Sequence, residues 1–592
     1  MKCTRRIVLS AMICAGGLRS LICQQLFEVN LNDRSHDTFK VSLLPGALSD
    51  SNNVFQFAAT APGTYEVMDI GRFVDDFKAF DQSGGEVPTE HSSTNQWTIT
   101  RPSTVRKITY TVADLWGATP KEHPVYRMCG STLSDDFVMI NGQAVFGYFK
   151  GLQSQPIRIK LDYPSDWRVG TALKQDRDGT YLAEDFDQVV DSPFFLGNLT
   201  TATATIGGAT IGVYTYSQTG VVTSDRLLEY LKPILRAESD FTRGLPVDRY
   251  AFLFYFGRAD AGAWEHSYSS EYVSKERPLT PGFVGGIVTI VSHEFFHVNI
   301  PLHVHSELVE HFNFVKPVGS QHLWLYEGTT EWAANILQLR DSLITLSRYL
   351  QALQEELREN DGFIPNLSLT SLGVHATELP DQYSNIYNKG AVVSSLLDIR
   401  ILQLSRGRMG LRETLLRLSK EYGVKRPFSE DGFFDHLAAI TYPQIADFIN
   451  RYIKGSEKLP VREYFDWLGI TYRETGELDS TGSSLAIGLH PDEGHNVVAF
   501  VYDDSRSGLI RGDVIEKYEG SPVTFDSGAV FLKQLTAMKP GSTVTLTVNR
   551  GGKEMNIAAI LVPRVKARHV FTVNPDATVE QKALRDAWMK NM

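Results

Sequence analysis

Cysteine, basic charge and long apolar runs are all scarce in this chain of 592 residues. Three of its four cysteines fall within the first 23 residues, so Cys129 has no internal partner and a disulfide framework is excluded. The formal net charge of -11 argues against the basic surface that nucleic-acid binding requires. After the N-terminal segment, no apolar run reaches the roughly 18 residues of a membrane-spanning helix. We therefore expect no nucleic-acid partner and no membrane span in the mature chain.

The first 23 residues have the layout of a secretory signal peptide. Basic residues among the first six precede an apolar stretch at residues 7–18, which is too short to span a bilayer. We predict that residues 1–23 are removed on export and that the mature protein is periplasmic or extracellular. Cys23 leaves a lipid anchor open as an alternative.

The rest of the sequence changes its pattern along the chain, which predicts a multidomain α+β protein. Hydrophobic residues make up 42% and charged residues 21%, as in ordinary globular proteins. Residues 24–215 show short strand-like runs separated by turn residues, which is typical of a β-sandwich-like domain. Residues 216–478 have mainly helical spacing, and residues 479–566 return to short strands. Residues 567–592 are predicted to form a tail with one amphipathic helix.

Apolar periodicity also predicts the individual helices of the middle domain. The first covers residues 225–242, where Pro233 is expected to introduce a kink or to start a new helix. The others are predicted at residues 286–300, 326–340, 344–358, 388–405, 409–422 and 442–454.

The strongest chemical signal is the sequence His-Glu-Phe-Phe-His at residues 293–297. Residues four apart lie on one face of a helix, so the imidazoles of His293 and His297 can bind the same zinc ion. Glu294 lies beside the first imidazole, where it can reach the attacking water and act as general base. The pattern therefore predicts a zinc site for hydrolysis.

A catalytic zinc ion typically has three protein ligands, so a further side chain is required. Glu327 and Glu331 lie one helical turn apart in the next helical segment. One of them should bind zinc, and the other could orient a ligating imidazole. A solvated helix glutamate is the alternative for Glu331.

The segment Trp-Leu-Tyr-Glu-Gly-Thr-Thr at residues 324–330, taken with the histidine motif, resembles the gluzincin aminopeptidases. The 29 residues between His297 and Glu327 are similar to the spacing in the glycyl aminopeptidase family that carries a PDZ domain. This resemblance implies a thermolysin-like, mainly helical catalytic domain with one zinc ion. It also implies that Glu327, and not Glu331, is the third ligand.

Two further segments resemble motifs of that family. Residues 262–266, Gly-Ala-Trp-Glu-His, are similar to Gly-Gly-x-Glu-His, which implies that Glu265 binds the free α-amino group of the substrate. Ala263 departs from the second glycine of that motif. Residues 387–390, Tyr-Asn-Lys-Gly, are similar to Tyr-x-Lys-Gly, which implies that Tyr387 stabilises the oxyanion, with Tyr383 as the competitor.

Residues 507–515 resemble a bacterial-type PDZ domain, with residues 485–488 as its carboxylate-binding loop. Peptide C-termini are the partners that such a domain implies. The sequence as a whole predicts a zinc aminopeptidase that removes small N-terminal residues, Gly or Ala, from peptide substrates. One alternative is a zinc endopeptidase with the same metal site, for which Glu265 would not matter. The other is a catalytically silent scaffold that binds peptides through its PDZ domain.

Overall fold

The computed structural model describes residues 25–118, 123–258, 262–492, 495–502, 504–523 and 525–591. The predicted signal peptide lies outside these residues. Within them, none of the helices combines the length and the apolar character needed to cross a bilayer.

The first region of the chain consists almost entirely of β-strands. Its elements are β1 (Gln25–Asn30), β2 (Thr38–Leu44), β3 (Val54–Gln56), β4 (Val74–Asp81), β5 (Glu86–Val87), β6 (Thr89–Ser93), β7 (Gln96–Ile99), β8 (Val105–Ala113), β9 (Thr132–Leu133), β10 (Phe137–Ile140), β11 (Tyr148–Phe149), β12 (Ile157–Asp162), β13 (Arg168–Gly170), β14 (Lys174–Gln175), β15 (Tyr181–Ala183), α1 (Phe186–Val190) and β16 (Phe194–Gly197).

These strands form one large sheet and two smaller ones. The eight-stranded sheet has the order β14-β15-β12-β1-β2-β8-β4-β5, and the four-stranded sheets have the orders β13-β16-β10-β9 and β11-β3-β7-β6. Buried and more exposed side chains alternate along β2 and β12, so one face of the large sheet contributes to a core that the three sheets share. The prediction of an N-terminal β domain is confirmed.

The middle region combines one sheet with most of the helices. Its strands are β17 (Thr200–Ile206), β18 (Ala209–Ser217), β19 (Arg249–Gly257), β20 (Gly262–His266) and β21 (Ser269–Lys275), in the sheet order β17-β18-β19-β21-β20. Its helices are α2 (Ser224–Thr242), α3 (Pro281–Phe296), α4 (Glu307–Glu310), a π-helical turn (Trp324–Gly328), α5 (Thr329–Arg340), α6 (Leu346–Asn360), α7 (Leu369–Val374), α8 (Asn385–Ser405), α9 (Leu411–Glu421), α10 (Phe433–Ile440), α11 (Gln444–Tyr452) and α12 (Val461–Trp467).

Two features of this region differ from the sequence prediction. The sheet begins at Thr200, ahead of the predicted limit at residue 216, because β18 pairs with β19 in parallel register. The helix α2 also continues through Pro233, so a second helix starting there was a wrong alternative. The side chains of Leu231, Ile234 and Leu235 are fully buried on both sides of the proline, and this burial holds the helix together.

The C-terminal region is again rich in strands. Its elements are β22 (Ile470–Thr475), β23 (Leu478–Ser484), β24 (Ile487–Asp492), β25 (His495–Val501), β26 (Val514–Tyr518), β27 (Ser521–Pro522), α13 (Phe525–Thr536), β28 (Thr543–Arg550), β29 (Lys553–Ile560), β30 (Val562–Val565), β31 (Arg568–Val573) and α14 (Val579–Met589). A separate small hydrophobic core lies among these elements.

The tail returns to the middle region. It starts with a strand that the sequence did not predict, β31, which pairs with β22. The helix α14 then buries Trp588 completely, and Arg340 Nε donates a hydrogen bond of 2.9 Å to the Trp588 carbonyl oxygen. The last helix is therefore part of the middle region's core and not a free extension.

Two glycines bring the π-helical turn against α8. A Cβ atom at Gly328 would lie 2.4 Å from the Gly390 Cα atom, and one at Gly390 would lie 2.7 Å from the Gly328 Cα atom. Neither backbone has room for a side chain. This contact holds Glu327, the neighbour of Gly328, beside the first turns of α8.

We expect Gly328→Ala to lower the free energy of unfolding by about 1–3 kcal/mol, because the added methyl group has to push two backbones apart. Gly285→Ala is the matched control: it places the same methyl group on a helix surface where nothing lies within 4 Å. Helix propensity should make that control neutral or stabilising. Denaturant unfolding of both variants checks the prediction, which fails if the two substitutions have equal effects.

Candidate metal site

Three side chains that the sequence predicted as metal ligands meet at one point. His293 lies in the last turn of α3, His297 directly follows that helix, and Glu327 lies in the π-helical turn. The Nε2 atoms of both imidazoles are 3.5 Å from the same oxygen, Glu327 Oε2. All three side chains are buried, and their ligand atoms form a group that could hold a metal ion.

The spacing of these atoms is close to that of a tetrahedral zinc site. Zinc bonds of about 2.0–2.1 Å place two ligand atoms roughly 3.3–3.4 Å apart at the tetrahedral angle. The two separations of 3.5 Å are only slightly larger.

His297 supplies an independent test of whether a metal ion fits. Its Nδ1 atom lies 2.9 Å from the carbonyl oxygen of Ile300, which can only accept, so Nδ1 carries the hydrogen. The buried Nε2 atom has no hydrogen-bond partner among the described residues. Burial lowers the pKa of His297 to about 4, which keeps the ring neutral. The Nε2 lone pair and the Glu327 carboxylate are both acceptors, so a cation between them would stabilise the arrangement.

Glu331 is the hydrogen-bond partner of the other imidazole. Its Oε2 atom lies 2.8 Å from His293 Nδ1, and Asn335 Nδ2 donates to Glu331 Oε1 at 2.9 Å. Burial by itself lowers the pKa of His293, but the carboxylates of Glu327 and Glu331 outweigh it and raise that pKa well above its ordinary value. Glu331 is therefore not a solvated helix residue: it fixes the ring whose Nε2 atom faces Glu327.

Glu294 lies in the same group of side chains. Burial raises its pKa to about 7 against the opposing charge of His293, and the carboxylate of Glu327 adds to the rise. A carboxyl group that titrates near neutral pH can both accept and return a proton.

Glu265 reaches the site from the edge strand β20. Its carboxylate, the Glu294 carboxylate and a nitrogen of His297 all lie within 4.8 Å of one another. Burial raises the pKa of Glu265 well above its ordinary value, and the carboxylates of Glu327 and Glu294 add to this effect. The ionised form of Glu265 therefore needs a cation beside it, either a metal ion or the ammonium group of a ligand.

The β-rich first region contributes a loop to the site that sequence reasoning did not assign. Gly63 has a φ of 75°, and a Cβ atom there would lie 2.8 Å from Glu265 Oε1. Trp264 Nε1 donates a hydrogen bond of 3.1 Å to the Pro62 carbonyl oxygen. The Tyr65 ring lies 5.7 Å from the Tyr383 ring. No spacing in the sequence predicts that this loop meets β20.

The two tyrosines that the sequence could not rank differ in their surroundings. The hydroxyl groups of Tyr383 and Tyr387 lie 3.3 Å apart. The Tyr387 ring lies 5.7 Å from the ring of His293, one of the predicted metal ligands. Burial raises the pKa of Tyr387 well above its ordinary value, with Glu327 adding to the effect, so this hydroxyl group stays a donor.

Open space surrounds this group on two sides. One cavity of about 340 Å³ is lined by Glu265, the loop at residues 63–66 and Tyr383. A second cavity of about 710 Å³ runs along α3, α5 and α6. Both cavities are lined by His293, Glu294 and Tyr387, so the candidate metal site lies between them.

Comparison with known proteins agrees with this arrangement. Residues 26–198 match the Peptidase M61 N-terminal domain, and residues 287–393 match the M61 glycyl aminopeptidase domain. The fold is similar to the crystal structure of an aminopeptidase N family protein from Idiomarina loihiensis, with a TM-score of 0.80 and 20% sequence identity over 96% of this chain and 100% of that chain. Among curated proteins, none matches this sequence.

These matches define the class of the protein, which is a peptidase. The chain contains the N-terminal domain and the catalytic domain of the M61 glycyl aminopeptidase family.

Proposed function

We propose that the protein is a zinc aminopeptidase that removes one small N-terminal residue, Gly or Ala, from peptides. His293, His297 and Glu327 hold one zinc ion, and Glu294 is the general base. Tyr387 donates a hydrogen bond to the oxyanion, and Glu265 binds the α-amino group of the substrate. The family supports peptide substrates, and the spacing of the three ligand groups supports the metal.

The observation that carries the proposal is the position of Glu265. Its carboxylate lies within 4.8 Å of the Glu294 carboxylate and of His297, so an ammonium group bound there is about one residue away from the reacting carbonyl group. Gly63 lies against the Glu265 side chain, so we expect its loop to limit the room for a chain that continues past Glu265. An internal segment of an endopeptidase substrate would need that room.

The residues of this chain divide the chemistry among them. Zinc, when bound, supplies a Lewis acid that polarises the scissile carbonyl group and lowers the pKa of water. Glu294 accepts the proton of the attacking water and delivers it to the leaving amine. Tyr387 donates to the oxygen that becomes negative, a contribution on the order of 3–4 kcal/mol to the transition state in comparable sites. Glu265 holds the substrate so that the first peptide bond faces Glu294.

The proposal extends to the rest of the chain. The middle region would be a thermolysin-like catalytic domain, and residues 479–566 a PDZ domain that receives peptide C-termini. The small core of the C-terminal region and the left-handed backbone of Ala486, within the proposed loop at residues 485–488, support this part. Export to the periplasm or to the cell exterior remains part of the proposal.

The test compares Ala-Ala-Ala-Ala with its N-acetylated form, with and without a chelator. The wild-type protein should hydrolyse only the free peptide and should lose that activity with the chelator. We expect Glu265→Gln to lower kcat/KM for the free peptide by about 100-fold, because a charge-assisted contact to the ammonium group is lost. Hydrolysis of the acetylated peptide at a comparable rate would favour the zinc endopeptidase. A chain that binds zinc and cleaves neither peptide would contradict the proposed function.

A further inference from the structure

The larger cavity has opposite charges at its two ends. His293, Glu294 and Glu331 line the end beside the candidate metal site, and Arg348 lines the other end. Arg348 is the only lysine or arginine among the described residues that line this cavity. Its guanidinium group lies at the protein surface and has no hydrogen-bond or ion-pair partner among the residues that the structure describes.

The two helices along this cavity give the distance between its ends. Along α5, the lining residues Glu331, Asn335 and Gln338 follow one another away from the metal site. Gln338 follows Glu331 by seven positions along the helix, which corresponds to about 10 Å.

The helix α6 runs back along the same cavity. Near the start of α6, Arg348 and Ala352 line the cavity. Further along the helix, Glu356 comes close enough to Glu331 for the two carboxylates to interact. Arg348 therefore lies at the distant end, near Gln338. It is also in the first turn of α6, where the helix dipole favours an anion.

The opposite wall of the cavity is open to a ligand backbone. Gly282, Gly285 and Gly286 lie on the exposed face of α3, and a Cβ atom at any of them would meet nothing within 4 Å. An extended chain that starts at Glu294 can pass along this wall. At about 3.3–3.6 Å per residue, three residues span the 10 Å to the far end.

We infer that Arg348 binds the C-terminal carboxylate of the substrate, and that the substrate class is zwitterionic peptides of about four residues. The inference rests on the proposed function, which places the ammonium group at Glu265 on the other side of the metal site. One residue then lies on the Glu265 side, and about three lie between Glu294 and Arg348. The negative groups near the metal site repel a carboxylate, whereas Arg348 attracts it, so the direction of the peptide is set by charge at both ends.

The experiment compares Ala-Ala-Ala-Ala as a free acid with the same peptide as a C-terminal amide. The wild-type protein should hydrolyse the free acid with a kcat/KM about two- to fivefold higher, the range expected for one exposed ion pair. Arg348→Gln should bring this ratio close to one, and Arg348→Lys should recover part of it. Arg358→Gln, on the same helix but outside the cavity lining, is the matched control and should keep the wild-type ratio.

A binding measurement separates recognition from turnover. Calorimetry with the Glu294→Gln protein should give a higher affinity for the free acid than for the amide, and adding Arg348→Gln should remove the difference. Raising the ionic strength should also weaken the preference of the wild-type protein for the free acid over the amide. This measurement needs no variant. An equal preference in wild type and Arg348→Gln would overturn the inference and leave the proposed function intact. If neither peptide is hydrolysed by zinc-loaded wild-type protein, the proposed function fails and this inference fails with it.

Discussion

Replacing Glu294 with glutamine should lower kcat by about 10²- to 10⁴-fold, the loss that follows removal of a general base. Glutamine keeps the shape of the side chain but cannot accept the proton of the attacking water. The pKa of Glu294 is raised to about 7 mainly by burial, so the wild-type group can take up and release that proton near neutral pH. Glu294 is not one of the three predicted zinc ligands, so the Glu294→Gln protein should still bind one zinc ion per chain.

Steady-state kinetics and metal analysis on the same protein preparation test this expectation. Glu355→Gln makes the same chemical change on the exposed face of α6 and serves as the control. A Glu294→Gln protein that retains both zinc and full activity would show that another group accepts the proton. The general-base role would then be wrong even if the metal site were correct.

Glu327→Gln should remove zinc and activity together, with metal affinity falling by more than about 100-fold. The Glu327 carboxylate carries a negative charge and faces both Nε2 atoms, at 3.5 Å from each. The side-chain oxygen of glutamine is neutral and therefore a weaker ligand, and its amide nitrogen does not bind zinc. Metal binding also adds to folding free energy, so a chelator should lower the melting temperature of the wild type but leave that of Glu327→Gln unchanged.

Glu331→Gln provides the matched comparison, since it is the same substitution one helical turn away. Glu331 contacts His293 Nδ1 at 2.8 Å and acts on the metal only through that ring. Loss of such a supporting contact typically costs about 10- to 100-fold in metal affinity. Zinc titration should therefore rank wild type first, Glu331→Gln second and Glu327→Gln last. If Glu331→Gln bound zinc more weakly than Glu327→Gln, Glu331 would be the zinc ligand and Glu327 the supporting residue.

Much of the middle region could be predicted from sequence because local periodicity dominates there. The helices predicted at residues 344–358 and 388–405 correspond to α6 and α8 within a few residues. The helix predicted at 286–300 is wrong at its C-terminal end, since α3 stops at Phe296. The short helices α7, α10 and α12 had no clear periodic signal and were not predicted.

Other features depended on contacts between distant segments, for which the sequence contains no local signal. The strand β18 pairs with β19 of the middle region. Nothing in residues 200–217 indicates this, because a strand with alternating apolar residues could equally join a sheet of the first region. The motifs at Glu327 and Tyr387 each contain a glycine, but only the fold shows that Gly328 and Gly390 touch each other. The loop around Gly63 meets Glu265 across about two hundred residues of sequence, a separation at which periodicity carries no information.

The sequence by itself determined the chemical inventory: two imidazoles one helical turn apart, a glutamate between them, and two further glutamates as candidate ligands. Residue type and local spacing are sufficient for that, because a helix fixes which side chains share a face. Only the tertiary structure decided that Glu327 faces both Nε2 atoms, while Glu331 contacts the other ring nitrogen of His293, Nδ1. Two carboxylates one turn apart have the same local geometry, and their roles separate only when packing against α3 aims one at the imidazole lone pairs and the other at a ring N–H.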